Sequence, residues 1–219
     1  MTVAAVIFSA SAEEAAAPVD GVARVRHVAD AAWSGGAMPV MVVAPDPGGT
    51  VAGALSGSAA DLVTPTPADV GTGAAGLIAA GIEAAVASVG ETTAAVLWPA
   101  RMTWIDAGTI TALIEAHPGL PAAVLRPTWE GQPGWPALVP LAVLDALRAM
   151  SPGLSPDRLL GVLEERGVPV RLLDLGDPGA THDVDTPRVA LPAYAGPDQP
   201  ITGHPPDWGS DVAQALPDR

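Results

Sequence analysis

The sequence predicts a three-layer α/β/α sandwich built on a mainly parallel sheet, and three observations carry that prediction. Short β-rich apolar runs alternate with segments of helical apolar spacing along most of the chain. Turn chemistry rich in Gly, Pro and Asp separates them, as at Pro45-Asp46-Pro47-Gly48-Gly49 and Pro118-Gly119. With 219 residues, 49% of them apolar, the chain is long enough for one large core and does not demand a second domain.

Element by element, TVAAVIF predicts a first strand over 2–8, and Val22 to Trp33 carries apolar positions at helical spacing. PVMVVA, residues 39–44, gives a second strand; β, α, β in that order implies parallel pairing through a covered crossover. A helix over Ala74 to Val89 opens after Gly71-Thr72-Gly73, and AAVLW, residues 94–98, is a strand. Asp106 is a fitting N-cap for a helix that stops at Pro118-Gly119. AAVLR, residues 122–126, adds a strand, Leu141 to Met150 and Pro156 to Arg166 two helices, and VPVRLLDL, residues 168–175, a last strand. Strands 3–8, 39–43, 94–98 and 122–126 are expected side by side in one sheet, with ligands at the carboxyl ends of the strands. The domain is expected to span 1–191. A Pro/Gly/Asp-rich tail without periodicity, 192–219, follows it; Tyr194 or Trp208 should pack back on the domain.

Composition narrows function by exclusion. There are no cysteines, so disulfides, thiolate metal sites and a Cys nucleophile are out, and a reducing, cytoplasmic setting is expected. All ten basic residues are arginines, which excludes any mechanism that needs a lysine ammonium. Against 24 acidic residues they leave a net charge of −14, a surface that repels nucleic-acid phosphates. The apolar stretch Gly71 to Val89 is interrupted by Glu83 and poor in large residues, so no membrane role is expected.

Four segments resemble one family, the MobA-like NTP transferases. LDLGDPGATHDVDTP, residues 173–187, is similar to the D-x-D-T-P turn that closes their fold, and WEGQPGWPALVP, residues 129–140, to their G-x-x-G-[HW]-P-x-L segment. PARMTWIDAGTI, residues 99–110, resembles the strand-to-helix segment G-D-M-P-x-[VI], and VDGVARVRHVADAA, residues 19–32, the first helix after the nucleotide loop. The resemblance implies a nucleotide-diphospho-sugar transferase fold, of the GT-A/Rossmann-like kind. It also implies a nucleotide site against the first loop and an acceptor site lined by Gly134 and Trp135. Mg²⁺ is the implied cofactor.

The departures from the family pattern fall on its chemistry. The signature loop L-A-A-G-x-S-x-R-M-G-x-x-K is replaced by FSASAEEAAAPVDG, residues 8–21, without Arg or Lys and with Glu13 and Glu14 toward the triphosphate. The Asp of G-D-M-P, which holds Mg²⁺ in active members, aligns with Arg101. An Arg fork there is expected to pair with Asp183 or Asp185 where relatives place a metal.

The candidate ligand-binding residues are therefore Ser9, Ala10 and Ser11 of the first loop, Gly71, Thr72 and Gly73 at a helix start, Arg101, and Gly134 with Trp135. Asp183 and Asp185, with His182 beside them, either ligate a divalent cation or cap a structural turn. Trp129 and Trp135 either stack on a base or pterin or belong to the core. Two functions follow: a catalytically impaired or non-catalytic protein that binds a nucleotide or pterin, or an active transferase of a nucleotide to molybdopterin or another phosphorylated acceptor. A protein partner or a homo-oligomer is compatible with either.

Overall fold

The computed structural model describes residues 2–197. β1 (Thr2–Phe8) is buried from Val3 to Phe8, as a strand covered on both faces has to be. It leads into α1 (Ala12–Ala16), a ribbon of β2 (Pro18–Val19) and β3 (Val22–Ala23), α2 (Arg24–Ser34) and β4 (Val40–Val43). α3 (Thr50–Leu55), β5 (Ala60–Val63), α4 (Pro67–Thr72), α5 (Ala74–Ser88) and β6 (Thr92–Pro99) follow. The second half comprises α6 (Ala107–Ala116), β7 (Val124–Trp129), β8 (Gln132–Pro133), β9 (Ala137–Pro140), α7 (Leu144–Arg148), α8 (Pro156–Glu165) and β10 (Val170–Asp174).

The main sheet runs β10-β7-β9-β6-β1-β4-β5, with β8 hairpinned onto β7. β1 pairs in parallel with β4 and β6, β5 in parallel with β4, and β10 in parallel with β7. β1, β4, β6 and β7 therefore share one mainly parallel sheet, as the βα alternation predicts; β4, β1 and β6 lie side by side, whereas β9 intervenes between β6 and β7. The core around it is aliphatic, with Trp98 its largest fully buried side chain.

Several local features differ from expectation. β9 is antiparallel to β6 and β7, and its four residues, all buried, are too few to show a period. α3 and β5 fill the chain after the Asp46 turn; β5 is an edge strand with Asp61 exposed, so no apolar run marks it. The helix expected over 141–150 is a 3₁₀ turn, Leu141–Val143, followed by the short α7. Asp106 does cap α6, accepting from the Gly108 amide at 2.8 Å. Among the described residues no helix is long and apolar enough to cross a membrane. Past residue 191 the chain returns to the domain: the Ala195 amide donates to Gly176 O at 3.1 Å, and the Tyr194 ring lies against Gly108. Trp208 lies outside the described residues.

Candidate functional site

The carboxyl ends of β1 and β6 open into a cleft with two lobes. One, of about 210 Å³, is lined by Phe8, Ser9, Glu14, Gly73, Leu77 and Ala100 among others. The second, of about 630 Å³, lies between Met102, Gln132, Gly134, Trp135, Thr181 and Asp183. Pro99, Arg101 and Pro156 belong to both linings, so the lobes meet at Arg101.

The first-loop residues divide by role. Ser9 is buried at the mouth of the small lobe and Ala10 lines it. Ser11 is turned to a structural task, capping α1 by accepting from the Glu14 amide at 3.1 Å. The helical turn of α1 separates the two glutamates: Glu13 points to solvent, and Glu14 alone lines the lobe. Glu14 Oε2 accepts from Ser9 Oγ at 3.0 Å, and its Oε1 lies 3.7 Å from the Arg24 guanidinium.

Gly71-Thr72-Gly73 is not the free loop expected before a helix. Gly71 and Thr72 form the end of α4, which a Thr66/Asp69 capping box starts. Gly73 makes the corner into α5 with φ +75°, a conformation suited to Gly, and its amide is spent on Val70 O at 3.0 Å. Of the three, only Gly73 reaches the lobe, so these residues provide shape there and no nest of open amides.

The large lobe is walled by the turn between β8 and β9. Trp135 is buried, edge-on to Phe8 with ring centroids 6.4 Å apart, and the Arg126 guanidinium lies 5.6 Å from its ring centroid. Much of the ring is thus committed to the protein, which limits stacking on a ligand. Trp129 lies in the β7–β8 hairpin, opposite Gln132, and is no part of the lobe. Arg126 Nε donates to Gly134 O at 3.0 Å and its Nη2 to Asp157 at 3.0 Å, tying the wall to α8. Burial lowers the pKa of this guanidinium and Asp157 opposes that shift. Gly134 abuts the Ala180 carbonyl, where a Cβ has no room, while the Trp135 amide donates to that same oxygen at 2.8 Å. Gly134→Ala should therefore cost about 1–3 kcal/mol by forcing strand and turn apart. Urea unfolding checks this: a midpoint equal to wild type would mean that the turn gives way freely.

At the junction, Arg101 Nη2 stands 2.6 Å from Asp183 Oδ2 and 2.7 Å from Asp185 Oδ2. Asp183 also accepts from the Asp185 amide at 3.0 Å, and His182 Nδ1 is held at 2.7 Å from Pro178 O. Asp183 and Asp185, expected either as metal ligands or as caps of a structural turn, thus hold a guanidinium and, at Asp183, a backbone amide. A divalent cation does not fit this donor set: a cation already bridges the two carboxylates, and among the described residues no three His, Asp or Glu side chains converge. Behind the site, Trp98 Nε1 donates to Met102 O at 2.7 Å and fixes the loop that carries Arg101.

The sequence model of the MobA-like NTP transferase domain matches residues 10–168, well over half of the chain. The chain belongs to that family. No curated protein matches it in sequence. Among solved structures, Rv0371c of Mycobacterium tuberculosis H37Rv is similar at a TM-score of 0.64 and 18% identity, over 84% of this chain and 93% of that one. A structure of the same protein in complex with manganese gives 0.63 and 16%, over 80% and 89%. A 4-diphosphocytidyl-2C-methyl-D-erythritol synthase also gives 0.63 and 16%, over 86% and 95%. At these identities the likeness establishes the shared fold. Of the charged residues that line the cleft, Asp157 is the one that motif reading does not single out.

Proposed function

We propose that this MobA-like homologue binds a nucleotide or a pterin in the two-lobed cleft without efficient nucleotidyl transfer. One observation carries the reading: the cation between Asp183 and Asp185 is the Arg101 side chain. Transfer to an acceptor needs positive charge that follows the triphosphate as its α-phosphorus is attacked. Arg101 is engaged by two carboxylates, Glu14 faces the small lobe, and lysine is absent from the chain. What remains is a pocket of suitable size for a heterocycle, with little to stabilise the charge that develops during the reaction.

The test is a calorimetric titration with GTP, CTP and ATP, with and without Mg²⁺, paired with an assay for pyrophosphate release in the presence of molybdopterin. Mg²⁺ is expected to change each affinity by less than tenfold and pyrophosphate to stay at the level of the enzyme-free control. Mg²⁺-dependent pyrophosphate release with an acceptor present would establish the transferase reading in its place.

A further inference from the structure

The contacts around Arg101 tie together two segments far apart in sequence. Its carbonyl accepts from the Val184 amide at 2.9 Å while its guanidinium holds Asp183 and Asp185, so one residue grips the 181–187 turn by main chain and side chain. Trp104, three residues on, donates through Nε1 to Asp183 O and Thr186 O, each at 2.9 Å. The loop after β6 and the turn that closes the large lobe therefore form one stitched wall, and Arg101 stands where both lobes touch it.

We propose that Arg101 is a resident cation that assembles this wall in place of the divalent ion implied by family membership, so that the apo cleft is complete without metal. Asp183 and Asp185 each place a carboxylate oxygen on the same nitrogen, and without a cation between them they repel. A guanidinium meets that need through a short charge-assisted hydrogen bond to Asp185 and an ion pair with Asp183, at a fixed distance from its own backbone. A metal ion would supply the charge but lacks the covalent tie to the loop after β6. Arg101 is thus a positioning residue, and because its side chain is half exposed the pairing provides alignment more than stability. Family membership alone supplies the expectation of a metal, and no ligand is needed, so the apo protein serves for the test.

Thermal unfolding in EDTA and in millimolar MnCl₂, with electron paramagnetic resonance counting bound Mn²⁺, separates the outcomes. Wild type is expected to shift by less than 1 °C with Mn²⁺ and to hold none. Arg101→Asp, which gathers three carboxylates, should melt roughly 3 °C or more below wild type in EDTA and regain most of that in Mn²⁺ while binding one ion per chain. Stoichiometric Mn²⁺ on wild type overturns the proposal, as does an Arg101→Asp protein that Mn²⁺ leaves unchanged. Should Arg101→Asp fail to fold, Arg101→Ala serves instead. It should lose more melting temperature in the wild-type background than in Asp183→Asn/Asp185→Asn, and equal losses overturn the proposal.

Discussion

Replacing Asp177 by Ala is expected to lower the melting temperature by roughly 6–12 °C, which corresponds to about 3 kcal/mol for a domain of this size. Asp177 is buried beneath the turn that bears the large lobe. Its carboxylate accepts from Thr109 Oγ1 at 2.6 Å, from the Asp106 amide at 3.0 Å and from the Gly179 amide at 2.8 Å. Truncation strands those three donors away from water, at about 1–3 kcal/mol for each group left unmet. Relief of the buried charge offsets part of that sum, because burial raises the carboxyl pKa above its ordinary 3.8 despite the hydrogen bonds that lower it. The sign of the pH dependence follows. Between 3.8 and the raised folded value the native protein keeps a proton that the unfolded chain has released. The stabilisation due to this group is therefore fully present below 3.8 and is lost as pH rises through the folded value. Asp177→Asn, which preserves an acceptor for Thr109 and Asp106, should cost about half as much as Ala and should abolish that slope. Urea unfolding across mildly acidic pH measures both; an Ala variant within 1 kcal/mol of wild type would show that water satisfies the donors.

Asp177 also shows where sequence reading stops. It stands in the segment 173–187 that resembles the family's closing turn, yet its partners Asp106 and Thr109 lie 71 and 68 positions away in the chain. No spacing rule reaches them. β1, β4 and β6 are legible because each carries an apolar run bounded by turn residues, the signature of a strand buried on both faces, whereas of β7 only Val124 to Arg126 falls in the predicted strand and Pro127, Thr128 and Trp129 extend it. β5 and β9 escape notice, one for being half-exposed at the edge, the other for being four residues long and ending in Pro140. In the cleft, Arg101 and Gly134 stand out in the sequence since each sits inside a motif. The separation of Glu13 from Glu14 depends on the one-turn helix that Ser11 caps, a conformation that short Ala-rich segments adopt only when tertiary contacts hold them. Similarly, Arg126 reads as the last residue of a strand, and its role under Trp135 arises from the return of β8 and β9.

Glu14→Lys is expected to raise the affinity for GTP by roughly 30-fold or more, the largest gain in binding that a single substitution in the cleft should produce. The carboxylate lines the small lobe, and its neutralisation is incomplete: Ser9 supplies one hydrogen bond, and the Arg24 guanidinium stands off at 3.7 Å. A phosphate about 5 Å from a carboxylate, at an effective dielectric of about 40–60, is repelled by about 1–2 kcal/mol per unit charge. Exchanging that charge for its opposite changes the interaction twice over, so about 2–4 kcal/mol separates the variant from wild type. Glu14→Gln removes the repulsion alone and keeps an acceptor for Ser9, so its gain should be close to tenfold. Two controls tie the gain to phosphate. Guanosine, which bears none, should bind wild type and both variants within about twofold, and the advantage of Glu14→Lys should shrink as ionic strength rises, because exposed charges are screened within about 10 Å at 0.1 M salt. A GTP affinity for Glu14→Lys within threefold of wild type would show that the phosphates lie away from α1.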